Sequence, residues 1–270
     1  MSPNKPTYGT VDREYGMRMF TTPPEEDGPV WMVNFMKYKE EATYADGSRG
    51  ITGQEADDKY APTEILTELG AEVPFFGDVV LQLAGKDYKW DRIGVVKYPT
   101  RAAFLGMQNR QDFLEKHEHK EAGMEFTFVI GCQPVELGSK FRVKPESWDS
   151  IEHAPTEEDG PVMVVHLLKF VEGGRQGDME EYQSKAFTVA QKHGGGAAAV
   201  FTVEGTIMGD GRQWDECRFI AYPSMRSFMA VVQDPERLEA QGNHRVAAIA
   251  DTYTVIVRPQ NDTFTTHGAI

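Results

Sequence analysis

Glu25-Glu26-Asp27-Gly28-Pro29-Val30 opens one stretch of this sequence, and Glu157-Glu158-Asp159-Gly160-Pro161-Val162 opens another. Each is followed by an apolar run, Trp31-Met32-Val33-Asn34-Phe35-Met36-Lys37-Tyr38 in the first and Met163-Val164-Val165-His166-Leu167-Leu168-Lys169-Phe170 in the second. Further matches keep the same order. Trp90-Asp91 returns as Trp214-Asp215, Tyr98-Pro99-Thr100 as Tyr222-Pro223-Ser224, His119-Lys120 as His244-Arg245, and Pro134 as Pro259. The spacing between copies narrows slightly along the chain, as loop-length differences allow. A repeat of this length makes each copy one structural unit, so the architecture is read unit by unit.

Each half reads as a βαββαβ succession. In the second half, residues 162–171 predict a strand and 178–193 a helix, with Met179, Tyr182, Ala186, Val189 and Ala190 at helical spacing. Gly194-Gly195-Gly196 ends that helix, because glycine accepts the left-handed conformation found just past a helix C-terminus. Strands over 197–209 and 214–222 flank a Gly209-Asp210-Gly211 turn. Ser224 can cap the next helix. Asp234-Pro235 starts another, with proline in its first position; it runs to about Ala250 and feeds a strand over 251–258. The first half predicts strands near 30–38, 72–84, 90–98 and 124–133. Its helices lie near 55–69 and 100–122, with Pro62 in the first turn of the former. The expected organisation is an arm (1–24), a first unit (25–136), a polar linker (137–156), a second unit (157–260) and a tail (261–270). The opening strands of both units are nearly continuous apolar runs, the pattern of a sheet covered on both faces. A lone unit would leave one sheet face bare; two units packed sheet to sheet would bury it.

The 270 residues carry 42 acids and 28 bases, a formal charge of −14. No Lys/Arg cluster supplies the basic footprint of a nucleic-acid binder, and the acidic balance argues against docking on anionic membranes. Cys132 and Cys217 are too few for a disulfide framework and lie in strand-like surroundings, so they read as inert core thiols. Residues 1–6 lack the apolar core of a signal peptide, and no apolar run approaches membrane-spanning length. A reduced, cytoplasmic setting is the expectation.

Tyr222-Pro223-Ser224, Phe228-Met229, Asp234-Pro235-Glu236 and the run from His244 to Thr252 resemble the dimeric α/β-barrel (ferredoxin-like) superfamily, and within it the domain-of-unknown-function 1330 group and its relatives. The first half is similar through Trp90-Asp91-Arg92, the run from Tyr98 to Phe104, and His119-Lys120. The resemblance implies an α+β chain in which two tandem ferredoxin-like units form one α/β-barrel, a pseudo-dimer. The alternative is that each half pairs with another chain, and a further homodimer is common for such folds. Members include cofactor-free monooxygenases of polyketide quinols, polyketide cyclases, hydroxynitrile lyases and haem-degrading enzymes, so fold likeness cannot choose a reaction.

His166 is the most informative single residue. It interrupts an apolar strand, where a polar group costs free energy unless it is bonded, and its counterpart Asn34 is also polar. A histidine there can move a proton near neutral pH, or it can be a core residue bonded to main chain. His119 and His244 recur late in the second helices beside Lys120 and Arg245. They read either as pocket-mouth groups that bind an anion or polarise a carbonyl, or as cations favoured in a last helical turn. Trp90 and Trp214 either seal a barrel end or border a site. Tyr182 and Tyr222 could hold a substrate oxygen or be core with satisfied hydroxyls.

Metal chemistry is not indicated: residues two apart on a helix, such as His117 and His119, point away from each other. Haem-degrading relatives carry a helix histidine about ten residues after a tryptophan. His117 fits that place, but Met107 stands where the tryptophan would be, and the second half has Gln241 for the histidine. Serine-hydrolase, phosphate-loop and dinucleotide motifs are absent. The leading expectation is a cofactor-independent lyase, isomerase or cyclase acting on a small, largely apolar substrate. His166, His244 and His119 carry the acid/base work, and Asn34, Tyr182, Arg245, Trp214 and Tyr222 bind substrate. The alternatives are a cofactor-free monooxygenase, a non-catalytic small-molecule binding or assembly protein, and a haem protein.

Overall fold

The computed structural model describes the backbone of residues 6–176, 178–240 and 246–270, and their side chains apart from 178–184, 240 and 246. In chain order the elements are β1 (Thr10–Val11), α1 (Arg13–Thr21), β2 (Val30–Tyr38), α2 (Gly53–Tyr60), α3 (Thr63–Glu68), β3 (Glu72–Ala84), β4 (Arg92–Tyr98), α4 (Arg101–Met107), α5 (Gln111–Gly123) and β5 (Met124–Pro134). They continue as β6 (Val162–Phe170), α6 (Asp178–Lys192), β7 (Gly196–Gly209), β8 (Glu216–Tyr222), α7 (Met225–Gln233), α8 (Pro235–Ala240), α9 (Val246–Ala248), β9 (Ile249–Asp262) and α10 (Phe264–His267).

The chain divides into two compact units that interleave in sequence. The first runs to Phe76 and adds Tyr88–Gln133 and Glu204–Gln213; the second holds Gly77–Asp87, Pro134–Val203 and Trp214–Ile270. Strands of the first unit lie in the order β1-β7-β5-β2-β4-β3, and those of the second in the order β3-β9-β6-β8-β7. β3 and β7 therefore each contribute one stretch to either unit. The central strands β2 and β6 pair antiparallel on both sides, β2 with β4 and β5, β6 with β8 and β9. Their burial patterns are identical, with a half-buried position at Asn34 in one and His166 in the other. This is the both-faces-covered sheet that the apolar runs predict.

The repeated motifs make the same contacts in each unit. Asp27 accepts hydrogen bonds from the Arg101 and Ala102 amides at 2.9 and 3.0 Å. Asp159 does the same for Met225 and Arg226 at 2.8 and 3.1 Å. Thr100 and Ser224 cap those helices from within, accepting from Ala103 and Ser227. Asp91 accepts from the Tyr38 amide, and Asp215 from the Phe170 amide, both at 2.7 Å. In each unit that amide sits at a register shift in the central strand, between Lys37 and Tyr38 and between Lys169 and Phe170.

Several elements differ from expectation. The helix expected over 55–69 is two helices, because Pro62 disfavours helical backbone at Ala61, which adopts φ −37°, ψ 106°. Pro62 is the cap of α3 rather than a residue of a first turn. The helix expected over 100–122 is likewise α4 and α5. The segment read as an arm holds β1 and α1, and buries Tyr8, Tyr15 and Met19. The segment read as a linker buries Trp148, whose indole donates to the Gly194 carbonyl at 2.8 Å. The tail holds the end of β9 and α10, with Phe264 buried. Part of the helix expected to reach Ala250 lies outside the described residues. Gly194 does end α6: it has φ +76°, and the Gly195 amide donates back to the Ala190 carbonyl.

Candidate functional site

In the second unit His166 stands mid-strand in β6, opposite Arg218 of β8 and Thr254 of β9. Alternation along β6 places it on the face of Val162 and Val164, which pack against Val189 and Ala190 of α6 and Phe228 and Val231 of α7. Its Nδ1 lies 3.1 Å from the Thr254 hydroxyl. Arg218 is bound to Glu216 and lies over the Phe170 ring, 5.9 Å from its centroid. Glu216 is only 3% exposed and also binds Arg175 at 2.6 Å. An open groove of about 600 Å³ runs past this network, lined by Phe170, Gly173, Arg175, Thr202, Val203 and Asp215 among others. His166 is not among the residues that line it.

The matched strand position in the first unit, Asn34, is turned to main chain, donating to the Met32 carbonyl at 3.0 Å. Between sheet and helices that unit instead holds a buried polar cluster which sequence reasoning missed. Tyr38 donates to Asp57 at 2.6 Å. Arg92 faces Asp57 at 3.7 Å and Asp58 at 2.7 Å. The Tyr8 hydroxyl lies 3.1 Å from His117 Nε2. Burial holds the Asp57 carboxyl above its ordinary value, against the pull of Lys120, the Tyr38 hydroxyl and Arg92. Burial likewise draws the His117 imidazole below its ordinary value, assisted by Lys120, and the neutral ring is favoured. One signal for this cluster lay in the sequence: Arg92 and Glu216 follow the repeated Trp-Asp pair directly.

The other predicted residues are placed as follows. The Nδ1 of His119 lies 2.8 Å from the Tyr44 hydroxyl, the two rings meeting edge to face. It ties α5 to the connection after β2. Trp214 is buried against Tyr253, ring centroids 5.8 Å apart, and Tyr222 is buried against Phe228 at 5.3 Å. His244 and Arg245 lie outside the described residues, and so does the Tyr182 side chain. His117, on which the haem reading turns, has Nε2 engaged by Tyr8 and Nδ1 buried, so neither nitrogen is open to an axial metal position. Among the described residues, no group of three or more His, Cys, Asp or Glu could hold a metal ion. Among them, too, no helix is long and apolar enough to cross a membrane.

No family model matches the chain, and no curated protein matches it. Solved structures do. An anthrone oxidase-like protein aligns over 91% of this chain and 98% of its own, at 12% identity and a TM-score of 0.50. A chlorite dismutase variant from Candidatus Nitrospira defluvii aligns over 92% and 96%, at 12% identity and 0.49. A protein of unknown function from Rhodopseudomonas palustris covers 48% of this chain and 98% of its own, at 27% identity and 0.42. The likeness to the anthrone oxidase-like protein concerns the fold alone.

Proposed function

We propose that the chain consists of two copies of one ferredoxin-like βαββαβ unit forming an α/β-barrel. We propose further that it is a cofactor-independent enzyme moving a proton on a small, largely apolar organic substrate, as a lyase, isomerase or cyclase. The recurring aspartate contacts and matching central strands support the first part. The second part is carried by His166, a half-buried imidazole in an apolar strand, oriented by the Thr254 hydroxyl. Substrate would enter from the groove past Phe170 and Arg175. His244, Arg245 and Tyr182 complete the proposed site as substrate-binding groups. Proton transfer suits a single positioned histidine, and such a group typically contributes about 10²–10⁴-fold in rate.

The test is proton exchange in deuterated water on a panel of small enolisable ketones, followed by NMR, with oxygen uptake recorded alongside. Wild-type protein should catalyse exchange, and His166→Ala should lose about 10²-fold or more of it. Retained exchange in that variant removes His166 from the role. Oxygen consumption with quinols, in place of exchange, assigns the site to a cofactor-free monooxygenase instead.

A further inference from the structure

The long strands β3 and β7 are counterparts in the repeat, since each leads into one of the matched pairs Trp90-Asp91 and Trp214-Asp215. Matching the tryptophans sets Leu81 against Gly205, Leu83 against Ile207 and Gly85 against Gly209. The two last glycines show that the match holds in space. A Cβ at Gly85 would collide with the Tyr253 ring of β9, and one at Gly209 with the Phe128 ring of β5.

In the first unit this stretch is covered. β1 pairs with Met208 and Gly209, and the Asp12 amide donates to the Ile207 carbonyl at 3.0 Å. Tyr15 lies against Gly205, and Gly16 of α1 against Ile207. In the second unit the counterpart is bare: Val80, Leu81 and Leu83 are 49%, 43% and 49% exposed. Among the described residues, β4 and β9 are the strands that pair with β3. β4 runs beside its earlier part, for Lys97 reaches Glu72 at 3.4 Å and Phe76 lies over Gly94. β4 begins only at Arg92, so residues 79–84 have a strand on one edge, β9. An apolar edge of this kind is a template for another strand.

We propose that a second copy of this chain docks here, pairing residues 79–84 antiparallel across a twofold axis at Gln82. The strand is its own complement in that register. Leu81 meets Leu83 of the second copy on one face, and Val80 meets Ala84 on the other. Asp78 at one end meets the exposed Lys86 at the other, so opposite charges join at both ends of the pair. A parallel alignment would set Asp78 beside Asp78 and Lys86 beside Lys86. The contact is the same patch on both copies and closes on itself, which gives a dimer rather than a fibre. It is independent of His166 and its groove.

Light scattering on the full chain after size exclusion should give about twice the monomer mass of 30.3 kDa. Leu81→Lys/Leu83→Lys places charge on the exposed edge and should run at the monomer mass, with an unchanged circular dichroism spectrum. Gln82→Cys reads the register directly. Antiparallel neighbours at the axis lie about 4.5–5.5 Å apart, within reach of a disulfide. Mild oxidation should therefore link that variant into a covalent dimer. Val80→Cys, whose two copies would stand about 13 Å apart, should stay unlinked. A wild-type chain that remains monomeric into the millimolar range overturns the proposal. So does a dimer that survives Leu81→Lys/Leu83→Lys, or linking at Val80→Cys in place of Gln82→Cys.

Discussion

Arg92 and Glu216 hold the same strand position in their units and carry opposite charge. Each follows the tryptophan–aspartate pair, and each pairs with the matching residue of its central strand, Met36 or Leu168. Both are 3% exposed. Arg92 is compensated by Asp57 and Asp58, Glu216 by Arg175 and Arg218. A buried charge stripped of its partner is strongly unfavourable, so Arg92→Leu should cost about 3–5 kcal/mol in chemical denaturation. The double variant Arg92→Leu/Asp57→Asn should recover a large part of that. An additive double mutant would show that Asp57 does not depend on Arg92.

The two motif aspartates should behave as helix caps with a pH signature. Burial raises the Asp27 carboxyl, but the Ala102 and Arg101 amides and the Arg101 guanidinium outweigh it and hold the group below its ordinary value. Asp159 is held down in the same way by Met225 and Arg226. A carboxylate lowered in the folded state adds stability above its unfolded value, about 3.9, and loses it as pH falls through the folded one. Asp27→Ala and Asp159→Ala should each cost about 0.5–2 kcal/mol at pH 7. The gap to wild type should narrow below about pH 4. A gap independent of pH would remove the ionised carboxylate from the explanation.

Tyr15 threads between two glycines of the first unit. A Cβ at Gly131 would collide with its hydroxyl, and one at Gly205 would sit 2.6 Å from its Cγ. Gly131→Ala must displace the ring and with it α1, an overpacking cost of about 1–3 kcal/mol. Tyr15→Leu should shrink the additional cost of Gly131→Ala, because the colliding hydroxyl is gone. Thermal melts of the four combinations measure the coupling.

Both cysteines are fully buried, and burial pushes the Cys217 thiol upward. A thiol-specific reagent should therefore react negligibly with native protein and with two equivalents after denaturation. Fast native labelling would mean that the strands carrying them open locally.

Thr254 is a positioning residue in the proposed reaction. Thr254→Val keeps the shape and removes the oxygen facing His166, so kcat should fall by about tenfold or more while KM stays near its wild-type value. Thr254→Ser should restore the rate. A KM effect alone would mean that the threonine shapes the pocket without orienting the ring.

The central strands were legible because an unbroken apolar run has one economical interpretation, and the repeat doubled the signal. The breaks at Pro62 and between α4 and α5 were less so, since periodicity continues across a break while backbone geometry does not. Tyr8, Asp57 and Lys120 were illegible for a different reason. They lie far apart in sequence, and no short motif announces groups that only tertiary packing assembles. The contact between His119 and Tyr44 was illegible too, because Tyr44 sits in a connection that carries no periodic signal.

The interleaving of β3 and β7 has a consequence for inheritance. The first unit includes Glu204–Gln213 from the far end of the sequence, and the second includes Gly77–Asp87 from the near end. A gene cut between residues 136 and 157 would therefore yield two pieces that each lack part of their own sheet and carry a strand belonging to the other. Each unit is completed only by residues from both halves of the chain, so neither corresponds to one contiguous stretch of gene that could be lost or shuffled whole.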